Sequence, residues 1–191
     1  MALILPQHQL EEIPQIIFAE LRKGTVQKKH PFRNVVFGTV AEKHPKSRWV
    51  VFRKLTENQR FLIFTDSRSG KAAELKKNNS CSLLFYSNRQ GLQIRVEGAV
   101  VLHSQDDLTK KYWSGVQGNG LKSYTTVLPP GSTIDKKDEG NQWLDEPTDR
   151  YFMVIEIMPN YIDVLQLGRE SHIRAEFNRV GDDWKGTFIV P

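Results

Sequence analysis

The chain has 191 residues, 39% of them hydrophobic and 26% charged, with a formal net charge of +5. This is the makeup of a soluble chain that buries roughly two-thirds of its unfolded surface, so one domain over residues 1–191 is expected. No run approaches the ~20 apolar residues of a membrane helix.

A single cysteine, Cys81, excludes an intramolecular disulfide and a cysteine-based metal cluster. The short apolar start Ala2–Leu5 has no basic leader before it, so a cytoplasmic protein is expected. The positive charge favours anionic partners. No zinc-finger spacing, recognition-helix signature or long basic stripe accompanies it, so a phosphate-bearing small molecule is expected rather than nucleic acid.

In chain order, residues 9–23 predict an amphipathic helix: Leu10, Ile13, Ile17 and Leu21 recur at spacings of three and four, and Gly24 should stop it. Pro14 argues for a late start or an early kink. The period then changes from 3.6 to 2. Strands are predicted at Asn34–Ala41, Ser47–Arg53 and Arg60–Thr65, with a turn at Lys43–Lys46. A polar loop from Asp66 leads into a short helix ending at Asn78–Asn79. Strands follow at Ser82–Tyr86 and Leu92–Leu102, the latter bending near Gly98.

Asp106–Val116 reads as a helix, Gly115–Lys122 as glycine-rich, and residues 129–149 as a long surface loop. Tyr151–Met158 and Tyr161–Leu167 flank Pro159–Asn160, and two closing strands lie near Ile173–Asn178 and Trp184–Val190. Eight or nine mostly antiparallel strands at short spacing predict a mainly β fold, a barrel with peripheral helices.

The clearest chemical signal is Phe64-Thr65-Asp66-Ser67-Arg68-Ser69-Gly70-Lys71, between a strand and a helix. Hydroxyls, a glycine and two cations at a helix N-terminus make an anion site. The same residues also fit an ordinary cap, with Ser69 or Asp66 accepting N–H groups and Arg68 in solvent. Arg48 and Arg53 bracket an apolar strand and, by alternation, face opposite sides. Burying either unpaired is costly, so at least one should meet an anion, unless both reach solvent at the rim. Gln93, Arg95 and Glu97 share one strand face, opposite Ile94 and Val96.

Five histidines show no metal-ligand spacing, and no nucleophile elbow or paired-acid motif is present, so neither a metal site nor hydrolytic chemistry is expected. Cys81 reads as a small buried residue. No glycine-rich dinucleotide fingerprint follows the first strand.

The Arg48-Trp49-Val50-Val51-Phe52-Arg53 strand and the Thr65-Asp66-x-Arg68-Ser69-x-Lys71 loop resemble the pyridoxamine phosphate oxidase superfamily, and specifically its oxidase-related branch of mostly unassigned function. The resemblance runs over residues 32–112 and 151–191. It implies an antiparallel split barrel of Greek-key type that binds FMN at a homodimer interface. Arg48, Ser69 and Lys71 match phosphate contacts. Trp49, Val50 and Val51 lie on the strand that runs along the flavin ring, Phe64 and Thr65 match the next strand's aromatic-Thr pair, and Gln93 matches a ring-bonding glutamine.

The sequence also departs from the vitamin B6 oxidases. Gly70 stands where their loop has arginine, and Arg68 is the candidate substitute. Arg53 and Tyr112 match substrate-phosphate positions, and Arg174 matches loosely. Val116, Gly120, Leu165 and Glu176 replace the family's arginine, serine, tryptophan and arginine. The flavin half is kept and the B6-phosphate half eroded. The resemblance therefore implies an FMN-dependent oxidoreductase on a small substrate, with NAD(P)H as a candidate reductant. A flavin carrier or sensor without turnover, and an oxidase of pyridoxamine-like phosphates, are the alternatives.

Overall fold

A computed structural model of the chain describes residues 2–191. Its strands are β1 (Asn34–Ala41), β2 (His44–Leu55), β3 (Phe61–Asp66), β4 (Ser80–Ser87), β5 (Leu92–Ser104), β6 (Phe152–Gln166), β7 (Ile173–Val180) and β8 (Asp183–Phe188). Its α-helices are α1 (Ile13–Val26), α2 (Gly70–Lys77), α3 (Asp107–Trp113) and α4 (Asn119–Lys122). None is long and apolar enough to cross a membrane among the described residues.

The sheet order is β3-β2-β1-β4-β5-β6-β7-β8, and β3 also pairs with β6. Six strands therefore close into an antiparallel barrel, and β7 and β8 extend the sheet beyond β6. Three hairpin-linked strands, with β4 returning beside β1, form the expected Greek key.

Alternation decides which side chains fill the barrel. On β1, Val35 and Phe37 are fully buried and Thr39 nearly so, while Val36 and Gly38 between them are half-exposed. Phe52, Phe61 and Phe85 meet in the centre, with Phe52 and Phe61 stacked at 5.3 Å. Each such ring contributes about 1.5–3 kcal/mol by leaving water. Ile13, Ile17, Phe18 and Leu21 of α1 add to this core.

Three boundaries differ from the sequence reading. Helix α1 starts after a 3-10 turn at Leu10–Glu12, with Pro14 in its first turn, and runs through Gly24 to Val26. Gly24 does not stop the helix; it permits close packing, since a Cβ there would lie 2.9 Å from the Phe32 Cβ. The β1–β2 turn is only Glu42–Lys43, with Glu42 at φ 56°, so His44 and Pro45 already belong to β2.

Most informatively, Pro159–Asn160 is no turn. Residues 152–166 form one strand, and the irregularity is a register shift against Glu97/Gly98. Pro159 tolerates this place because a bulge asks no ladder hydrogen bond of it. Gly98 is required because a Cβ there would stand 2.2 Å from the Met158 carbonyl oxygen. The irregularity at Gly98 is thus a register shift, with the extra residue, Asn160, on β6 and β5 continuous through Gly98. The bulge lets β6 pair with β3 through its first half and β7 through its second.

Candidate functional site

Strand β3 ends at Asp66 and α2 begins at Gly70, so the chain turns within Ser67–Ser69. The turn is pinned on both sides. The Ser67 N–H donates to the Tyr151 carbonyl at 2.8 Å, and the Arg68 N–H to Asp66 Oδ1 at 2.8 Å.

Ser69 occupies the N-cap of α2, yet its side chain makes no capping hydrogen bond. A serine there ordinarily accepts from the helix's first turn. Here its Oγ sits 3.2 Å from Thr65 Oγ1, and Lys71 Nζ donates to that same Thr65 oxygen at 2.8 Å. Two buried hydroxyls and an ammonium thus converge, and the helix start keeps no side-chain cap.

Lys71 makes no ion pair within 4 Å among the described residues; its hydrogen-bond partner is a neutral hydroxyl. Burial pushes its pKa down, and the charge of Arg48 pushes the same way, against the weaker pull of Asp66 and Glu74. A desolvated cation beside a second cation lacks an anion.

Arg48 continues the inward row of Val50 and Phe52 to the end of the barrel. Its Nη2 bonds Glu74 Oε2 at 2.8 Å, and its Nη1 bonds the buried Thr39 hydroxyl. The expected opposition of the two strand arginines holds. Arg53 lies on the other face of β2, with its guanidinium 5.7 Å above the Phe64 ring. Its Nη2 reaches Tyr124 Oη at 3.5 Å, and its buried Nε has no partner among the described residues.

A cavity of about 300 Å³ opens on this face. It is lined by Trp49, Val50, Val51 and Arg53 of β2, Phe64, Thr65 and Asp66 of β3, and Ser69 and Lys71 of the turn and α2; the Asp66 carboxylate there is paired with Arg68. Ser123, Tyr124 and Pro130 cover it from the long excursion between β5 and β6. Trp49, Val50, Val51, Phe64, Thr65, Ser69 and Lys71, from two adjacent strands and the turn and helix that follow, therefore share one wall. A larger hollow of about 540 Å³ lies between α1 and the β7–β8 turn, but Glu11, Glu57, Asp182 and Asp183 make its rim mainly acidic.

Five expected residues are outside the lining: Arg48 at the end of the barrel, Tyr112 against the Phe64 ring, and Arg68, Gln93 and Arg174. Arg68 is not in the lining. Its guanidinium grips both Asp66 oxygens, at 3.1 and 2.7 Å, and the Thr126 and Val127 carbonyls, and lies 3.6 Å from the Tyr151 ring centre. The hydrogen bonds to Asp66 lead in raising its pKa. Arg68 ties the covering excursion to the turn.

Gln93 pairs with Tyr86 and Leu165, on the same outward face as Val51 but three strands, or about 14 Å, around the barrel. Arg174 of β7 bonds both oxygens of the buried Asp163, at 3.1 and 2.8 Å, a carboxylate it shares with Arg95. Arg53 and Tyr112 do meet around Phe64, whose ring centre is 5.3 Å from that of Tyr112, but Arg174 does not join them.

Tyr124, Pro130, Thr39 and Glu74 were missed. Tyr124 and Pro130 lie in a segment without periodicity. Glu74 carried only its spacing of three from Lys71.

Residues 15–104 match the family model described as "Pyridoxamine 5'-phosphate oxidase, FMN-binding domain". A pyridoxine/pyridoxamine 5'-phosphate oxidase of Legionella pneumophila (strain Paris) is 31% identical over 172 residues, covering 82% of this chain and 77% of that protein. The chain belongs to the pyridoxamine 5'-phosphate oxidase-like FMN-binding split-barrel superfamily. Within it the matches to oxidases are distant: the Haemophilus influenzae (strain Rd) oxidase is 24% identical over 196 residues, covering 95% of this chain and 90% of that protein.

Two solved structures share the split-barrel fold. One is a pyridoxamine 5'-phosphate oxidase-related, FMN-binding protein from Nostoc punctiforme, with TM-score 0.74 and 20% identity over 92% of this chain and 96% of that one. The other is PhzG from Burkholderia lata, solved with tetrahydrophenazine-1-carboxylic acid, with TM-score 0.77 and 20% identity over 98% of each chain.

Proposed function

We propose that this protein binds FMN in the β2–β3 cavity and is an FMN-dependent oxidoreductase acting on a small substrate. The observation that carries the reading is Lys71: desolvated, without a carboxylate within hydrogen-bonding reach, and joined to the Thr65 and Ser69 hydroxyls at a helix start. A phosphate monoester fits that donor set, because charge-assisted bonds to its oxygens would replace the lost water. Trp49 and Phe64 offer aromatic surface to a flat ring, and the backbone of Val50–Val51 offers edge contacts.

Bound FMN supplies hydride or electron transfer, so no catalytic acid–base pair is demanded of the chain. Lys71, Ser69 and Thr65 would hold the phosphate, with Arg48 behind them. Arg68 would act indirectly, by fastening the excursion that covers the cavity. NADH or NADPH is the candidate reductant.

The pyridoxamine-phosphate oxidase reading is disfavoured within one chain, because Arg174 is neutralised by Asp163 and lies apart from Arg53 and Tyr112. A second copy of the chain is the proposed cover for the outer barrel face. There Trp49 is 69% exposed, and it stands beside Val36 and then Leu84 across β1 and β4. An exposed tryptophan beside the half-buried Val36 and Leu84 suits an association site, and Gln93 shares the face.

The test is the absorbance spectrum of the purified protein, with the released cofactor identified by mass and the particle mass measured in solution. FMN bound to a dimer, bleached by NADH or NADPH without oxygen, is the expected result. Bound FMN that neither nucleotide reduces would favour a carrier or sensor. A colourless protein that also ignores added FMN would overturn the reading.

A further inference from the structure

Arg48 does not line the cavity, but its charge acts on Lys71, and a residue that is also outside the cavity holds its guanidinium at the end of the barrel. Glu74 lies one turn after Lys71 on α2. Its Oε2 accepts from Arg48 Nη2 at 2.8 Å and from the Thr39 hydroxyl. The Thr39 oxygen in turn accepts from Arg48 Nη1. Side chains from β1, β2 and α2 thus close a ring of three hydrogen bonds.

Thr39 is 3% exposed, and the Glu74 side chain 16%. Burial alone would raise the Glu74 pKa, but the Thr39 hydrogen bond and the Arg48 charge more than offset it and hold the carboxyl below its ordinary value. The carboxylate is therefore ionised at neutral pH.

We propose that Glu74 is a positioning residue for the phosphate end of the site, acting through Arg48 without touching the ligand. The proposal rests on the FMN reading above. Glu74 could otherwise matter only as a counter-charge, and the two roles predict opposite signs. Removing a counter-charge leaves the site one unit more positive and tightens an anion. Removing a positioning group frees Arg48 to swing away and loosens it.

The experiment titrates flavin-stripped full-length protein with FMN and with riboflavin, following flavin fluorescence. Glu74→Ala is expected to weaken FMN about tenfold, the scale of one charge-assisted hydrogen bond, and to leave riboflavin within about twofold. Riboflavin binding reports an intact barrel, so a mere folding defect would not change the FMN-to-riboflavin ratio. Glu74→Gln, whose amide oxygen still accepts, should recover most of the loss. Glu74→Ala should add nothing in an Arg48→Ala background, because its effect passes through Arg48.

Thr39→Val removes the bridging hydroxyl from the other side and should give the same FMN-selective loss even if Glu74→Ala folds poorly. Tighter FMN binding by Glu74→Ala, or losses that add to those of Arg48→Ala, would overturn the proposal while leaving the FMN site standing. Wild-type protein that binds both flavins equally would overturn the phosphate site and this proposal together.

Discussion

Replacing Lys71 by methionine tests the site at its centre. The change keeps an unbranched stem of similar length and deletes the ammonium. In the folded protein that ammonium is desolvated, repelled by Arg48 and bonded to the Thr65 hydroxyl, so it contributes little to the ligand-free fold. With a phosphate present it would donate a charge-assisted bond worth about 1.5–3 kcal/mol. At about 1.4 kcal/mol per factor of ten, FMN should bind roughly 10- to 150-fold more weakly to Lys71→Met.

Riboflavin has the same ring and ribityl chain but no phosphate, and its affinity should stay within about twofold. The melting temperature of the ligand-free protein should be unchanged or higher, since a half-buried cation without a counter-ion is replaced by an apolar chain. Fluorescence titration with both flavins and a thermal melt complete the assay. Equal losses for FMN and riboflavin, or a drop in ligand-free stability, would show that Lys71 supports the fold and does not bind phosphate.

The same lysine sets a pH dependence. Its folded pKa lies below the ordinary lysine value of 10.5, and a bound phosphate would draw the proton back. FMN affinity should therefore fall as pH rises through that depressed pKa, with riboflavin flat. Ligand-free stability should move the other way: the unfolded chain holds the proton longer, so the penalty for charging Lys71 fades between its folded pKa and 10.5. Parallel FMN and riboflavin profiles would remove Lys71 from the phosphate site.

Gly98→Ala places a methyl against the Met158 carbonyl and should cost about 2–3 kcal/mol, lowering the melting temperature by about 4–12 °C; an unchanged melt would mean the bulge can open freely. Burial pushes the Cys81 thiol up to about 12, so alkylation at pH 8 should run about 10³-fold slower than for an ordinary thiol until the protein unfolds. Rapid labelling of the native protein would contradict that burial.

Local patterning carried much of the architecture. The change from period 3.6 to period 2 after Phe32 placed the first five strands, because a barrel's inner and outer faces impose alternation on each strand separately. It also set Gln93 and Ile94 on opposite faces of β5, and the fold then decided that Ile94 points inward. Pro14 announced the late start of α1, since proline has no N–H to give to a helix interior. The readings that failed depended on a neighbour remote in sequence. Gly24 looks like a helix stop, but it lies inside α1 because Phe32 packs against it. Pro159 looks like a turn, but it sits within β6 because Gly98 on β5 makes room for a bulge.

The candidate site divides in the same way. Residue types and spacing on β2, β3 and the turn before α2 sufficed to nominate Trp49 to Val51, Phe64, Thr65, Ser69 and Lys71. Two adjacent strands and the helix that follows can hardly avoid bringing them to one place. Only the tertiary structure separated the cations by what each already holds: Lys71 a hydroxyl, Arg48 the Glu74 carboxylate, Arg68 Asp66 and two carbonyls, Arg174 Asp163. A sequence states where a charge is attached. Whether that charge is spent on the protein or left for a ligand depends on which carboxylates the fold brings within reach, and those come from other strands and helices.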